Sequence, residues 1–577
     1  MRTSPLVDFS IYDPTIKPDG TPSATDIQPF SKIEDLEIAN STQIYATYEP
    51  DFWLLDGKYK LMPMDTTNVH VGYMSLSISD IDGTFDTPPT LTITFGSIHD
   101  IDGITLNFSQ YTGDWCNFVK IRCYNNVDAL IDDSDYTPST WNFYTNQPIS
   151  AVKKIVVIFN GSNNPYRYVR LASIDYGQVI HFTGTDIKSC VVVEEVNPLS
   201  TELPIGTLEL SLFSSDAAFS IINPTGDYEN LQNKQPLNVY EVVGNDQIFI
   251  GQFFLDSWEN PSDNIITFRA IDMLGILDSV PYLGGLWGIW NPDHTSITFP
   301  VITAGDLIEE MMSAINTPYD LDPSLESIEI TGWIPVCSYR EALQQIGFAI
   351  GAYITCSRSG VLKIYASILA SELSVFDYAI TKADKGINQS LTLKPLVTGI
   401  ELAVYNYIPG SDAKMIYSGY LTTGDHIVFY TEPAYGLSFV GGGFGTVTQY
   451  ANYASVNITV AGVKEIWSQG YQKSFAQSSL YNTGLDANVK PNIIKIDGVT
   501  IVNPDNAATI VQRIYDYYLQ RYLQKVKLYA PEAAAGDSVL IDTLYDRQIG
   551  AIIEKMTLDL SGGFTAKAEA TGVIIPI

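Results

Sequence analysis

The segment Asp80-Ile81-Asp82-Gly83, followed by Asp86, places three carboxylates in one turn, and Asp100 and Asp102 come one strand later. Hard oxygen ligands that close together can hold Ca²⁺. The spacing departs from that of an EF-hand loop, and an Asp-rich turn that bonds its own backbone has the same composition. Both readings stay open at this level. Asp80, Asp82 and Asp86 are the candidate metal ligands, with a structural calcium as the ion they would hold.

A second chemistry is carried by aromatic residues beside turn residues: Trp53, Trp115, Trp141, Tyr144 and Tyr166. Sugars stack their C–H faces on aromatic rings while a few polar groups bond the hydroxyls. These five residues are therefore the candidate carbohydrate-binding set. Large aromatics also dominate the cores of small sandwiches, which makes core packing the first reading for each.

Other chemistries lack their signatures. There is no HExxH, no GxSxG and no GxxxxGK[ST]. The histidines (His70, His99, His181, His294, His426) are scattered without metal-ligand spacing. The run Gly441-Gly442-Gly443-Phe444-Gly445 does not open a helix, which argues against a phosphate cradle and for a mobile loop or a close chain approach. With 65 acidic residues, carboxylate pairs arise by chance, so no glycosidase dyad is assigned. No catalytic residue is expected, and the chain is not expected to be an enzyme.

The elements that must position these residues are mostly strands. At 577 residues, three to five domains are expected. Residues 41–178 carry short alternating runs separated by turns: Leu91–Phe95, Ile104–Phe108, Val119–Tyr124, Ile155–Phe159 and Tyr168–Ile174. That spacing predicts an antiparallel sandwich. In the preceding segment 1–40, Leu6–Tyr12 is one strand. Residues 179–300 give strands again, among them Thr207–Leu212 and Ile265–Asp272, the latter alternating as a half-buried barrel strand does.

Residues 301–385 change character. Thr303-Ala304-Gly305-Asp306 and Ser338-Tyr339-Arg340-Glu341 resemble capping boxes, each followed by apolar residues at helical spacing. A hairpin over Ala352–Ser357 and Val361–Tyr365 completes a small α+β unit. Residues 386–577 return to strands with one long helix, expected from Asn503-Pro504 to about Gln524. Its predicted core stripe is Ile510, Ile514, Tyr517, Tyr518 and Leu519.

The bulk numbers exclude some partners. A formal charge of −33 from 32 basic and 65 acidic residues argues against holding DNA, because affinity for phosphate comes from Lys and Arg. The odd set Cys116, Cys123, Cys190, Cys337 and Cys356 without CxxC predicts buried thiols and synthesis in a reducing cytoplasm. The N-terminus lacks the apolar core of a signal peptide, and no stretch is long and apolar enough for a membrane helix.

Asp82-Gly83-Thr84-Phe85, Pro88 through Phe95, Gly103 through Phe108 and Pro165 through Gly177 together resemble the discoidin-like (F5/8 type C) galactose-binding fold. The flanks Gln28-Pro29-Phe30-Ser31, Tyr45 through Pro50 and Leu54-Leu55-Asp56-Gly57 resemble tail hub (baseplate hub, tail-tip) proteins of phages and prophages of Gram-positive hosts. So do Thr207 through Leu212, Phe268 through Asp272, Gly536 through Val539, Ile549 through Lys555 and Leu558 through Phe564. The resemblance spans nearly the whole chain.

It implies a mainly β fold with a small α+β part. Residues 1–40 would join the first hub barrel, 41–178 would be the discoidin-like sandwich and 179–300 the first barrel. Residues 301–385 would be the α+β accessory part and 386–577 the second barrel. It further implies a homotrimer at the virion tail tip, contacting a distal tail protein or tail-tube hexamer and a separate central spike or fibre. DNA would pass through an acidic lumen without specific binding, and the sandwich would meet a host cell-surface glycan. The end at Ile577, just after the barrel strands, predicts that no cell-wall hydrolase is fused here. Two other readings compete: a peripheral receptor-binding adhesin, and a carbohydrate-active enzyme with a binding module.

Overall fold

The structure is a computed structural model. It describes residues 3–12, 16–24, 26–28, 31, 33, 36, 47, 49, 72–109, 113–213, 231, 233–243, 246–262, 264–289, 299–315, 317–386, 389–410, 412–468, 471–481, 488–529, 531–543 and 547–575. Strands account for 53% and helices for 11%, so the fold is mainly β, as the alternating runs require. The chain divides into two compact units. One comprises Met1–Lys188, Leu210–Ile250 and Phe254–Phe268; the other comprises Ser189–Glu209, Gly251–Phe253 and Arg269–Ile577.

The first unit contains the sandwich. One sheet has the strand order Gly20–Ala24, Thr90–Ile101, Ile149–Gly161, Phe118–Tyr124, Leu130–Tyr136. The other has the order Tyr73–Ile78, Tyr168–Asp175, Thr105–Phe108, Asn142–Tyr144. Alternate residues along the strands point inward. Leu91, Ile93, Phe95, Val157 and Phe159 thus meet Tyr73, Leu106, Phe108 and Leu171 in one apolar core. Tyr73 and Phe108 flank Phe159, with ring centroids 5.8 and 6.3 Å away.

The N-terminal segment divides its work. Thr3–Tyr12 pairs antiparallel with both Gly177–Phe182 and Pro236–Val243. Gly20–Ala24, expected with the barrel, instead pairs with Thr90–Ile101 at the edge of the sandwich. The sandwich therefore recruits chain from before residue 41.

In the second unit the capping signals are read as expected. Thr303 caps Ala304–Ala314 through the Asp306 N–H, and Ser338 and Glu341 close a reciprocal box on Tyr339–Ile350. Leu307, Ile308, Met311, Leu343 and Ile346 then face a core shared with Ile510 and Ile514. The hairpin forms between Ala352–Thr355 and Leu362–Ala366.

The last helix is shorter than its caps suggested. Its regular part runs Ala507–Leu519; Asn503 caps the turn leading into it, its carboxamide oxygen accepting the N–H groups of Asp505 and Asn506 and its carbonyl that of Ala507. Leu519 is exposed and not part of the core stripe. A short helix, Met273–Asp278, was not anticipated; Asp272 ends the preceding strand and caps it.

Tyr522–Tyr529, Thr565–Ile575, Gln548–Asp559 and Ser538–Asp542 form an antiparallel ladder, and Val191–Glu195 pairs onto Gln548–Asp559. Between the paired strands Gly399–Pro409 and Tyr471–Tyr481, residues 414–468 fold into two three-stranded sheets around Val428, Ala454, Val456, Ile458 and Ile466. The glycine run lies here and serves close approach. A Cβ on Gly441 would stand 2.4 Å from the Val463 carbonyl oxygen, and the carbonyls of Gly441 and Gly442 accept from the buried Lys464 ammonium.

Candidate functional site

The five aromatic candidates fall into separate sets. Trp53 lies outside the described residues. Trp115 and Tyr166 belong to loops knitted together by backbone. The Trp115 N–H donates to Asn163 Oδ1 at 3.0 Å, and the Asn163 N–H donates to the Trp115 carbonyl at 2.9 Å. The Tyr166 N–H reaches the Asp80 carbonyl at 3.3 Å, and the Ser162 N–H reaches Gly83 at 2.8 Å. This loop cluster thus gathers Trp115, Tyr166 and the Asp80 turn.

Both rings are half-buried. Trp115 donates its indole N–H to the Pro138 carbonyl at 3.1 Å and packs its other edge against the sandwich core. Tyr166 has φ +56°, a conformation L-residues with large side chains rarely adopt. Such strain persists where the surroundings over-determine it and is frequent at ligand sites.

The cluster contains polar residues that sequence reasoning did not single out. Asn164 donates to Asp114 Oδ1 at 2.7 Å, and Arg167 Nε lies 3.4 Å from the same oxygen. Burial pushes the Asp114 carboxyl above its usual range, against the Asn164 hydrogen bond and the Arg167 charge. Beneath it, Glu49 and Arg170 form a buried bidentate ion pair. The signal for this group was the density of Asn, Asp and Arg around Trp115 and Tyr166. Only the fold brings Gly113–Asn117 beside Ser162–Arg167. The cluster thus carries aromatic faces for stacking and amide, carboxylate and guanidinium groups for hydrogen bonding.

Trp141 and Tyr144 are placed elsewhere, around the Asn142–Tyr144 strand. The Trp141 carbonyl accepts the Phe108 N–H at 2.7 Å, and its ring lies 5.2 Å from that of His181. Tyr144 donates to the Asp102 carbonyl at 2.9 Å and covers Gly103, where a Cβ would stand 2.5 Å from the ring.

Asp80 commits its carboxylate to its own turn. Oδ1 accepts the N–H groups of Asp82 (2.9 Å) and Thr84 (3.0 Å), and Oδ2 accepts the Thr84 hydroxyl (3.0 Å). These bonds hold its carboxyl below the usual range. Asp82 and Asp86 are exposed, and among the described residues no three His, Cys, Asp or Glu side chains gather as a metal-binding group. As arranged, the turn does not fit a calcium ion.

No family model matches the chain, and no curated protein matches it. Among solved structures it is similar to the prophage MuSo2 43 kDa tail protein from Shewanella oneidensis. The identity is 9%, the TM-score 0.38, and the match covers 68% of this chain and 95% of that one. It is similar to the prophage tail protein gp18 from Listeria monocytogenes, with 9% identity, TM-score 0.36, and 68% and 91% covered. It is also similar to the family 32 CBM from C. perfringens NanJ, a structure in complex with galactose. There the identity is 13%, the TM-score 0.19, and 30% of this chain and 99% of that one are covered.

Proposed function

We propose that the chain is a structural protein of a phage-type tail: a homotrimeric tail-tip hub whose sandwich contacts a glycan on the host surface. One observation carries the reading. The segments that resemble tail hubs near the C-terminus fall on one continuous ladder. Gly536 through Val539 lead into Ser538–Asp542, Ile549 through Lys555 lie within Gln548–Asp559, and Leu558 through Phe564 turn into Thr565–Ile575.

Ladders of this kind suit a scaffold more than a catalyst. Their backbone groups satisfy one another, and their side chains alternate between core and surface. The charge of −33 fits a passage that DNA traverses without being held. A distal tail protein or tail-tube hexamer on one side and a central spike or fibre on the other are the partners this reading requires. No catalytic role is assigned to any residue.

The sandwich would supply host contact through the Trp115–Tyr166 loop cluster, with Asn163, Asn164, Asp114 and Arg167 as its polar groups. Trp141 and Tyr144 have structural work in this scheme.

Cryo-electron microscopy of particles carrying this chain tests the assignment. Three copies on the axis at the tube's end are expected. Peripheral copies would replace the hub with an adhesin, and absence from every particle would reopen the enzyme reading. Adsorption of particles carrying Trp115→Ala and Tyr166→Ala separately tests the glycan site.

A further inference from the structure

Polar side chains from several elements of the first unit meet where the sandwich joins the Thr3–Tyr12 ladder. Asp8 and His181 stand opposite each other in the register of that ladder. His181 Nδ1 lies 2.6 Å from Asp8 Oδ1, and Nε2 lies 3.3 Å from Asn107 Oδ1 on the sandwich strand Thr105–Phe108. Both side chains of the Asp8–His181 pair are buried.

The orientation of the Asn107 amide is fixed by its other contacts. Its nitrogen donates to Ser173 Oγ at 2.9 Å and to Asp175 Oδ2 at 3.0 Å. Asp175 is paired with the Lys17 ammonium, so it is a carboxylate and can only accept. The Asn142 amide nitrogen also donates to the Asn107 oxygen, which therefore faces His181 as an acceptor. His181 thus has an acceptor at each ring nitrogen. A neutral imidazole carries one N–H and satisfies only one of them; both are satisfied by the imidazolium.

We propose that His181 is held as an imidazolium and that this charge latches the sandwich to the Thr3–Tyr12 ladder, making the joint a proton-dependent switch. The charged groups facing it are Asp8, from the ladder, and Asp175, which is shared with Lys17. Asp8 Oδ2 is buried with no hydrogen-bond partner among the described residues, so the imidazolium is the counter-charge on which that carboxylate depends. The Trp141 ring lies 5.2 Å from the imidazole, tilted by 45°. Burial alone would lower the His181 pKa. The charge and hydrogen bond of Asp8, then the charge of Asp175, outweigh it and raise the pKa above its ordinary value.

The sign follows directly. A folded pKa above the unfolded value, about 6.5, gives stabilisation that is complete below that pH and lost as pH rises through the folded pKa. Proton loss leaves a ring lone pair facing an oxygen, and the Asn107 or the Asp8 contact breaks. The latch is closed in acid and opens in base.

Hydrogen–deuterium exchange mass spectrometry on the full chain tests this. Exchange at the imidazole C2 position reports each histidine's titration, and amide exchange reports the joint. The expected midpoint for His181 lies above that of an unperturbed histidine, about 6.5, and Asp8→Asn lowers it. Amides of Thr3–Tyr12 and Thr105–Phe108, corrected for intrinsic exchange, lose protection through the same pH range, while those of Gln548–Asp559 do not. In His181→Gln that pH dependence disappears. If this variant does not fold, Asp8→Asn must still move the pH of amide opening together with the His181 midpoint. A wild-type midpoint at or below about 6.5 overturns the imidazolium. A raised midpoint with pH-independent amide protection overturns the latch.

Discussion

The two aromatic sets of the sandwich are built from the same residue types and do different work. The Trp115–Tyr166 set sits in loops joined by backbone and side-chain hydrogen bonds, and the same loops carry Asn163, Asn164, Asp114 and Arg167. The Trp141–Tyr144 set is anchored to regular structure and covers His181 and Gly103. An aromatic ring beside a turn is therefore ambiguous until its partners are known. What separates the sets is whether the ring belongs to a loop rich in polar side chains or is anchored to regular structure.

A change beneath both sets should not distinguish them. Phe159 is fully buried between Tyr73 and Phe108. Phe159→Ala is expected to cost about 3–5 kcal/mol through lost burial and the cavity left behind. Chemical denaturation of the full chain would show it. A loss below about 1 kcal/mol would mean that the core collapses around the gap.

Acidity separates the sandwich joint from the ladder beside it. Burial pushes the Glu241 carboxyl on Pro236–Val243 up to about 7, against a hydrogen bond from Thr3. For a carboxyl raised in the folded state, stability falls as pH climbs from the unfolded value, about 4.5, through about 7, and is flat above. Glu241→Gln should flatten that window and stabilise the fold at pH 8 by at most about 3 kcal/mol. The His181 window begins near its unfolded value, about 6.5, and runs upward from there. Melting temperature against pH in the two single variants resolves them, and identical profiles would show that the groups are coupled.

The second unit gives the contrasting case, in which local sequence signals decide the structure. Ser338→Ala removes the side chain that accepts the Glu341 N–H and should cost about 1 kcal/mol. Thermal unfolding measures it, and no shift would mean that tertiary packing alone holds the helix start.

That contrast also explains what was legible in the sequence. Caps, helical spacing and strand alternation are local, so Thr303, Ser338 and the sandwich strands could be read directly. Where two local signals compete, reading them is harder. Asn503-Pro504 does cap the turn that leads into the last helix, but the helical spacing read on to about Gln524 passes into the strand Tyr522–Tyr529, and the helix ends at Leu519. Contacts between distant segments leave no local trace. The recruitment of Gly20–Ala24 to the sandwich is one such contact, and so is the meeting of Asp8, Asn107 and His181. The folding of residues 414–468 into sheets of their own is another. The candidate site was half visible: the aromatics were named, but their division into two sets depends on strand pairing.

The smallest expected change in stability belongs to the most informative variant. Tyr166 holds φ +56° and is half-buried, so truncating it removes a ring from the loop cluster without opening the core. Tyr166→Ala leaves the strained backbone in place, and Tyr166→Gly relieves it. If the ring is a sugar platform, both variants should melt close to the parent while adsorption to host cells falls roughly tenfold. Tyr144→Ala, which uncovers Gly103, should show the reverse: a lower melting temperature with adsorption retained by the protein that stays folded. Equal adsorption losses for Tyr166 and Tyr144 variants at matched folded fraction would erase the distinction between the two sets. The glycan contact would then have to lie outside both.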